Sequence, residues 1–219
     1  MIKISDLNLN IKGHQILSNV NMTLQEGNIY GLVGNNGSGK TMLMKCICGF
    51  VKTTSGKIVV DNEVIGKDID YIKNTGIIIE TPGFIMYYSG LKNLKILAEI
   101  SGKTNVTKIK ETMKECGLDP DLKLPVKKYS LGMRQRLGIA QAIMEDQSIL
   151  ILDEPMNGLD KEGIATVRML LLKMKAEGRL VILASHNRED IDILCDEVFF
   201  VEKGQVKGLS LQEMPRPIY

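Results

Sequence analysis

No apolar run in the 219-residue sequence approaches the roughly 18 residues a membrane-crossing helix needs, so any membrane involvement requires another chain. The N-terminal stretch MIKISDLNLN lacks the apolar core of a secretory leader. Neither sign of charge dominates: 28 Lys and Arg oppose 26 Asp and Glu, a net +2 that gives no reason to expect a nucleic acid or an acidic partner. Cysteine is sparse and unpatterned. Cys46 and Cys48 are two apart on an expected helix and share no face, while Cys116 and Cys195 stand alone, so buried reduced thiols are expected rather than disulfides or a zinc site. Internal repeats and low-complexity segments are missing as well. What remains is 44% hydrophobic and 25% charged, the make-up of a soluble intracellular enzyme with a sizeable core. The length suits one large domain, or a core with an inserted subdomain.

Against that plain background one loop stands out. Gly34-Asn35-Asn36-Gly37-Ser38-Gly39-Lys40-Thr41 fits the pattern G-x-x-x-x-G-K-[ST], with the apolar run 28–33 before it and helix-forming residues from Met42 after it. Glycines let the backbone turn tightly and bring its N–H groups against phosphate oxygens, and a helix N-terminus adds partial positive charge. Here Lys40 is expected to reach the β- and γ-phosphates and the Thr41 hydroxyl to ligate Mg²⁺.

Hydrophobic patterning orders the rest of the chain. Residues 2–11 and 15–24 alternate apolar and polar as antiparallel strands do, and 56–65 reads as a hairpin around Asp61-Asn62. Gly76–Glu80 is a short buried strand. Helical spacing then takes over, through Leu91, Leu94, Leu97 and Ala98 and next Ile109, Met113 and Cys116. Gly117, Pro120 and Pro125 break the pattern before a helix opening at Ser130. Strands at 149–152, 180–184 and 198–201 alternate with helices at 162–177 and 188–194. The order implies an α/β fold: a P-loop NTPase core with a mostly parallel sheet, an N-terminal antiparallel β region and an inserted helical subdomain. The expected division is a core of residues 1–80 and 147–219 with a helical subdomain at 81–146. The last six residues, MPRPIY, are expected to end without structure.

Functional side chains fall at the ends of the buried strands. Asp153 and Glu154 close the apolar run ILIL, and in a parallel α/β sheet the site lies at the strands' carboxyl ends, where the phosphate loop also begins. Asp153 is placed to bind Mg²⁺ and Glu154 to position and deprotonate an attacking water. His186 follows the strand LVILAS and can donate to the γ-phosphate. His14 has no assigned role.

The order of phosphate loop, Ser130-Leu131-Gly132-Met133-Arg134-Gln135, the strand ending at Pro155, Asn157-Gly158-Leu159-Asp160 and His186 resembles the ATP-binding cassette ATPases over nearly the whole chain, about residues 2–208. The resemblance implies ATP and Mg²⁺ as cofactors and a head-to-tail dimer sandwiching two ATP molecules. In it, catalytic Lys40, Glu154 and His186 and the nucleotide-binding run from Asn35, Asn36, Gly37, Ser38 and Gly39 through Thr41 to Met42 serve the chain's own ATP. Ser130 and Gly132 serve the partner's ATP, and Asp160 couples the two sites. Ser130 suits a helix N-cap, and Gly132 is small enough for close approach.

Departures from the family pattern narrow the subgroup. The signature is YSLGMRQR where LSGGQ is usual, and Glu80, expected as a third metal ligand beside Thr41 and Asp153, stands where a glutamine is usual. GIIIETPGF with YSLGMRQRLGIA resembles the exporters of bacitracin, lantibiotics and other amphipathic peptides. Ile11 falls about where many members carry an adenine-stacking ring, and Tyr30 lies in the wrong strand to replace it. The resemblance therefore implies the ATP-hydrolysing subunit of a peptide exporter, cytoplasmic and held at the inner face of the membrane by a separate integral permease. The run Phe84-Ile85-Met86-Tyr87-Tyr88 is suited to cradling that permease, or to packing the helical subdomain. A second reading is a non-transport cassette ATPase acting in DNA repair or translation; such relatives carry coiled coils, zinc inserts or paired cassettes, and none is in this sequence.

Overall fold

Ten strands and six α-helices make up residues 1–81 and 83–209, the part of the chain that the computed structural model describes. Residues 214–219, expected to end without structure, lie outside it. The alternating N-terminal segments form an antiparallel sheet of β1 (Ile2–Ile11), β2 (His14–Leu24), β4 (Ser55–Val60) and β5 (Glu63–Val64), in the order β2-β1-β4-β5. Ile2 and Ile4, then Leu7 and Leu9, of β1 point to its buried face; the period of two is reset between Ile4 and Leu7 by a register shift at which Asp6 takes φ 51°. Between β4 and β5, Asp61 and Asn62 take φ of 47° and 72°, the left-handed pair that a two-residue hairpin turn requires.

The larger sheet has the order β10-β9-β3-β8-β7-β6. Its strands β3 (Ile29–Val33), β6 (Thr75–Ile78), β7 (Ile149–Asp153), β8 (Leu180–Ala184) and β9 (Glu197–Glu202) run parallel. Both faces are covered, which is why ILIL shows no alternation. Leu150 and Leu152 enter one apolar core with Val181 and Leu183, whereas Ile149 and Ile151 enter the other with Leu180 and Ile182. Each such side chain, fully buried, is worth about 1.5–3 kcal/mol. β10 (Gln205–Leu209), antiparallel to β9, was not foreseen. As an edge strand with only Val206 and Leu209 partly covered, it carries almost no apolar signal.

Helix α1 (Lys40–Cys48) lies between the two sheets, burying Leu43, Met44 and Ile47 against both. Between β6 and β7 the chain makes α2 (Gly90–Ser101), α3 (Val106–Glu115) and α4 (Leu131–Ile143). Their starts are capped as the sequence suggests: Ser89, Asn105 and Ser130 each accept from a first-turn N–H. Leu94, Ile109, Met113, Leu137 and Ala140 join these helices to the core of Leu150 and Leu152, which α5 (Lys161–Ala176) and α6 (Arg188–Leu194) complete. α4 lies directly on β6: a Cβ at Gly76 would sit 1.8 Å from the Ala142 carbonyl oxygen. β6 ends at Ile78 rather than reaching Glu80. It is the edge strand, its last pairing is Ile78 with Leu152, and beyond it the chain turns away with Glu80 at φ 63°.

Candidate functional site

The loop after β3, the segment after β6 and the carboxyl end of β7 open on one cleft of about 580 Å³. The loop 34–39 wraps its floor. Gly34 has φ 150°, and a Cβ there would fall 2.1 Å from the Val201 carbonyl oxygen, so the backbone passes where no side chain fits. Gly39 is the N-cap of α1 and brings no side-chain acceptor, leaving first-turn N–H groups toward the cleft. The Ser38 hydroxyl is buried with no hydrogen-bond partner. An orphaned donor beside uncapped N–H groups is a cradle that fits a phosphate. The Lys40 ammonium donates to the carbonyls of Gly34 at 2.6 Å and Asn35 at 3.1 Å. Burial lowers its pKa, opposed by the charges of Glu154 and Asp153.

Across the cleft the Thr41 hydroxyl donates to Asp153 Oδ2 at 2.7 Å, joining the phosphate helix to the end of β7. Glu80 lines the same cleft and is paired with Lys45 of α1 at 2.5 Å. Hydroxyl and carboxylate oxygens are the donors Mg²⁺ prefers, with one or two carboxylates beside phosphate oxygens. Among the described residues no cluster of three His, Cys, Asp or Glu is found, so a metal there would need oxygens from a bound phosphate.

Glu154 takes φ 51°, rare for a glutamate, and its N–H donates to the Ala184 carbonyl at 2.9 Å. That turn brings Glu154 Oε2 to 2.8 Å from His186 Nδ1. A carboxylate only accepts, so Nδ1 carries the proton and Nε2 is the free ring nitrogen. The residues flanking His186 are fixed in the chain. The Ser185 hydroxyl accepts from Asn187 N at 3.1 Å, Asn187 caps α6, and buried Asp190 of α6 pairs with Arg168 of α5.

At the N-terminus of α4, Ser130 Oγ accepts from Met133 N at 3.1 Å. Close approach at Gly132 is real, but it is made within the chain: a Cβ there would lie 3.1 Å from the Gly158 carbonyl oxygen. Asp160 likewise binds its own chain, accepting from Gly163 N at 2.9 Å as the N-cap of α5 and from Arg136 at 2.7 Å. The Gly163 N–H, then Arg136, hold its carboxyl below the usual range. Gln135 donates to the carbonyls of Glu154 and Pro155 at 3.3 and 3.0 Å. Thus α4, the turn 154–160 and α5 form one hydrogen-bonded unit.

The cleft wall includes Asn36 through Met42 with Glu80, Asp153 and Glu154. Asn35, Ser130, Gly132, Asp160 and His186 lie outside that lining, His186 being exposed beside Glu154. Sequence reasoning missed Ile16, Leu131, Arg134, Gln135 and Asn157 as wall residues. Ile16 was visible only as one more apolar residue of β2. It, not Ile11, lines the cleft, since Ile11 sits at the exposed end of β1 paired with His14. Tyr30 is buried, its hydroxyl accepting from Gln25 N and from Asn28, so it cannot face a nucleotide.

A family model described as ABC transporter matches residues 17–157, more than half of the chain. The chain belongs to the ABC transporter family. As a cassette of that family it is an ATP-binding transporter subunit and an ATPase. It is 41% identical over 207 residues to the uncharacterized ABC transporter ATP-binding protein YybJ of Bacillus subtilis, covering 94% of this chain and 95% of that one. The lantibiotic transport ATP-binding protein SrtF of Streptococcus pyogenes is 37% identical over 207 residues, with 94% and 89% covered. The bacitracin transport ATP-binding protein BcrA of Bacillus licheniformis is 36% identical over 217 residues, with 98% and 70% covered. The fold matches the dimeric post-hydrolysis structure of the ATP-binding cassette MJ0796 bound to ADP and Pi, with a TM-score of 0.87 at 21% identity and 98% and 100% covered. No helix among the described residues of this cassette is long and apolar enough to cross a membrane.

Proposed function

We propose that this cassette drives export of an antimicrobial, lantibiotic or other amphipathic peptide, as one of two head-to-tail ATPase subunits beneath a separate membrane permease. The relatives named for lantibiotic and bacitracin transport support the peptide cargo, and they favour it over a role in DNA repair or translation. Residues 1–80 and 147–219 act as the catalytic core, and 81–146 as the helical subdomain that meets the permease. Its contact loop is built for exposure: Phe84 packs on the core, while Ile85, Met86 and Tyr87 face solvent. Buried Asn93 pins that loop through the N–H and carbonyl of Ile85. Through the permease the cassette would sit at the cytoplasmic face of the membrane.

The observation that carries the chemistry is the convergence of Lys40, Thr41, Asp153 and Glu154 at one cleft, with His186 hydrogen-bonded to Glu154. Backbone N–H groups of the run from Asn35 to Met42 hold the phosphates, and Lys40 neutralises their charge. Thr41, Asp153 and Glu80 would hold Mg²⁺, which when bound would supply neutralisation of phosphate charge. Glu154 takes a proton from water as its oxygen bonds to the γ-phosphorus, and the bond to the β–γ bridging oxygen breaks to leave ADP and phosphate. His186 steadies the γ-phosphate through Nε2, which donates only when both ring nitrogens are protonated. Ser130 and Gly132 of each subunit close on the partner's ATP, and Asp160 ties that contact to the chain's own site.

The test compares wild type with Glu154→Gln. The variant is expected to bind ATP and accumulate as an ATP-dependent dimer in light scattering, while phosphate release falls by about 100-fold or more. Unaltered turnover would remove Glu154 from the base role. Cells expressing the cassette with its permease should gain tolerance to bacitracin or a lantibiotic, and lose it with Lys40→Ala; no gain would set aside the peptide cargo.

A further inference from the structure

We infer that Lys45 is a positioning residue that holds Glu80 in reserve and releases it to the metal; this rests on the reading of Glu80 as a Mg²⁺ ligand. Lys45 lies four residues after Thr41 on α1, so the two side chains share a helix face about one turn apart, about 6 Å along the axis. Thr41 meets Asp153 at one level of that face, and Lys45 meets Glu80 at the next, at 2.5 Å. Glu80 therefore lines the cleft with its carboxylate committed to a cation that is not the metal. The ammonium is largely covered and the carboxylate largely exposed, which makes Glu80 the mobile partner. Its φ of 63° is uncommon for a non-glycine residue and needs outside support. Glu80 also lies at the start of the loop that presents Ile85, Met86 and Tyr87, where the permease is proposed to dock.

An amide at position 80 would form no ion pair, so the device exists only because this cassette carries a glutamate. Lys45 has two effects that a double-mutant comparison separates from simple packing. It offsets the extra negative charge, and it competes with Mg²⁺ for the same oxygens. Removing it frees Glu80 and tightens the metal.

The experiment measures the half-saturating Mg²⁺ concentration for binding of a fluorescent ATP analogue, and separately for ATP turnover, in purified wild type, Lys45→Met, Lys45→Arg, Glu80→Gln and the Lys45→Met/Glu80→Gln pair. Lys45→Met is expected to lower the half-saturating Mg²⁺ by about 1.4-fold to fivefold, the range an exposed ion pair commands. Lys45→Arg should stay near wild type, and Lys45→Met should have no further effect once Glu80 is Gln. An equal shift in both backgrounds, or no shift with Glu80 present, overturns the latch while leaving the metal role of Glu80 standing. If Glu80→Gln alone leaves the Mg²⁺ requirement unchanged, both readings fall. Thermal melts of the variants identify any that misfold, and Lys45→Gln then replaces Lys45→Met in the comparison.

Discussion

Ser130 has a structural duty inside its own chain and a proposed phosphate contact in a partner's site, and substitutions separate the two. Its hydroxyl caps α4 by accepting from Met133 N at 3.1 Å. Loss of such a cap in Ser130→Ala costs about 1 kcal/mol, which in a chain of this size lowers the melting temperature by about 2–4 °C. Asp is as good an N-cap as Ser, and its charge favours a helix N-terminus by about 0.3–1 kcal/mol. Ser130→Asp should therefore melt at or slightly above wild type without nucleotide. In the closed dimer the same carboxylate would face a γ-phosphate. At about 4 Å and an effective dielectric of 20, one pair of like charges costs about 4 kcal/mol, close to a thousandfold in dimer affinity. The assay is ATP-dependent dimerisation by light scattering in the Glu154→Gln background, paired with thermal melts of the nucleotide-free monomer. Ser130→Ala should melt low and still dimerise; Ser130→Asp should melt normally and stay monomeric. A Ser130→Asp protein that dimerises as tightly as its parent would refute the placement of α4 against a partner's phosphate.

Lys40 carries a pKa lowered mainly by burial, and a bound triphosphate would raise it again. ATP affinity should thus weaken as pH rises toward the lowered value, with proton uptake on binding visible as buffer-dependent calorimetric heats; pH-independent binding across the alkaline range would contradict it. The sign for stability follows from the same shift: between the lowered and ordinary lysine values the unfolded chain binds the extra proton, so the Lys40 contribution to nucleotide-free stability rises with pH. Burial pushes the thiols of Cys46, Cys48, Cys116 and Cys195 up to about 12, so an aromatic disulfide reagent at neutral pH should label them only as fast as the protein opens, and rapid labelling of the native chain would be the contrary result. Gly34→Ala should abolish nucleotide binding and lower stability, because its methyl would lie 2.1 Å from the Val201 carbonyl oxygen; unchanged binding would show that the loop can move aside.

Strand and helix order was legible because burial on both faces leaves so plain a mark: ILIL and LVILA have no polar position at all. The places of Lys40, Thr41, Asp153 and Glu154 followed from two facts of local chemistry, a glycine loop before a helix and acids at the end of a buried strand. What stayed hidden is what depends on turns and pairings between distant segments. Glu80 was read as the end of a strand because Ile79 continues the apolar run; only the edge position of β6 shows that pairing stops at Ile78. The Lys45–Glu80 pair spans 35 residues, and neither residue is unusual alone. Ile16 looked like any inward residue of β2, and β10 lacked the apolar content that marks a strand.

Gly132 has a use inside its own chain beside the one proposed toward a partner's phosphate: a Cβ there would lie 3.1 Å from the Gly158 carbonyl oxygen, tighter than ordinary contact. The contact belongs to a set: Gln135 holds the carbonyls of Glu154 and Pro155, and Arg136 holds Asp160. All three start from the first two turns of α4 and end on the turn that carries the proposed base. A cassette dimer sharing ATP between subunits needs each chain to relate its catalytic edge to the edge it lends its neighbour. In this chain that relation is not left to the partner. The helix expected to touch the neighbour's nucleotide and the glutamate expected to cleave the chain's own meet at a common backbone segment, which gives the two edges a contiguous hydrogen-bonded connection.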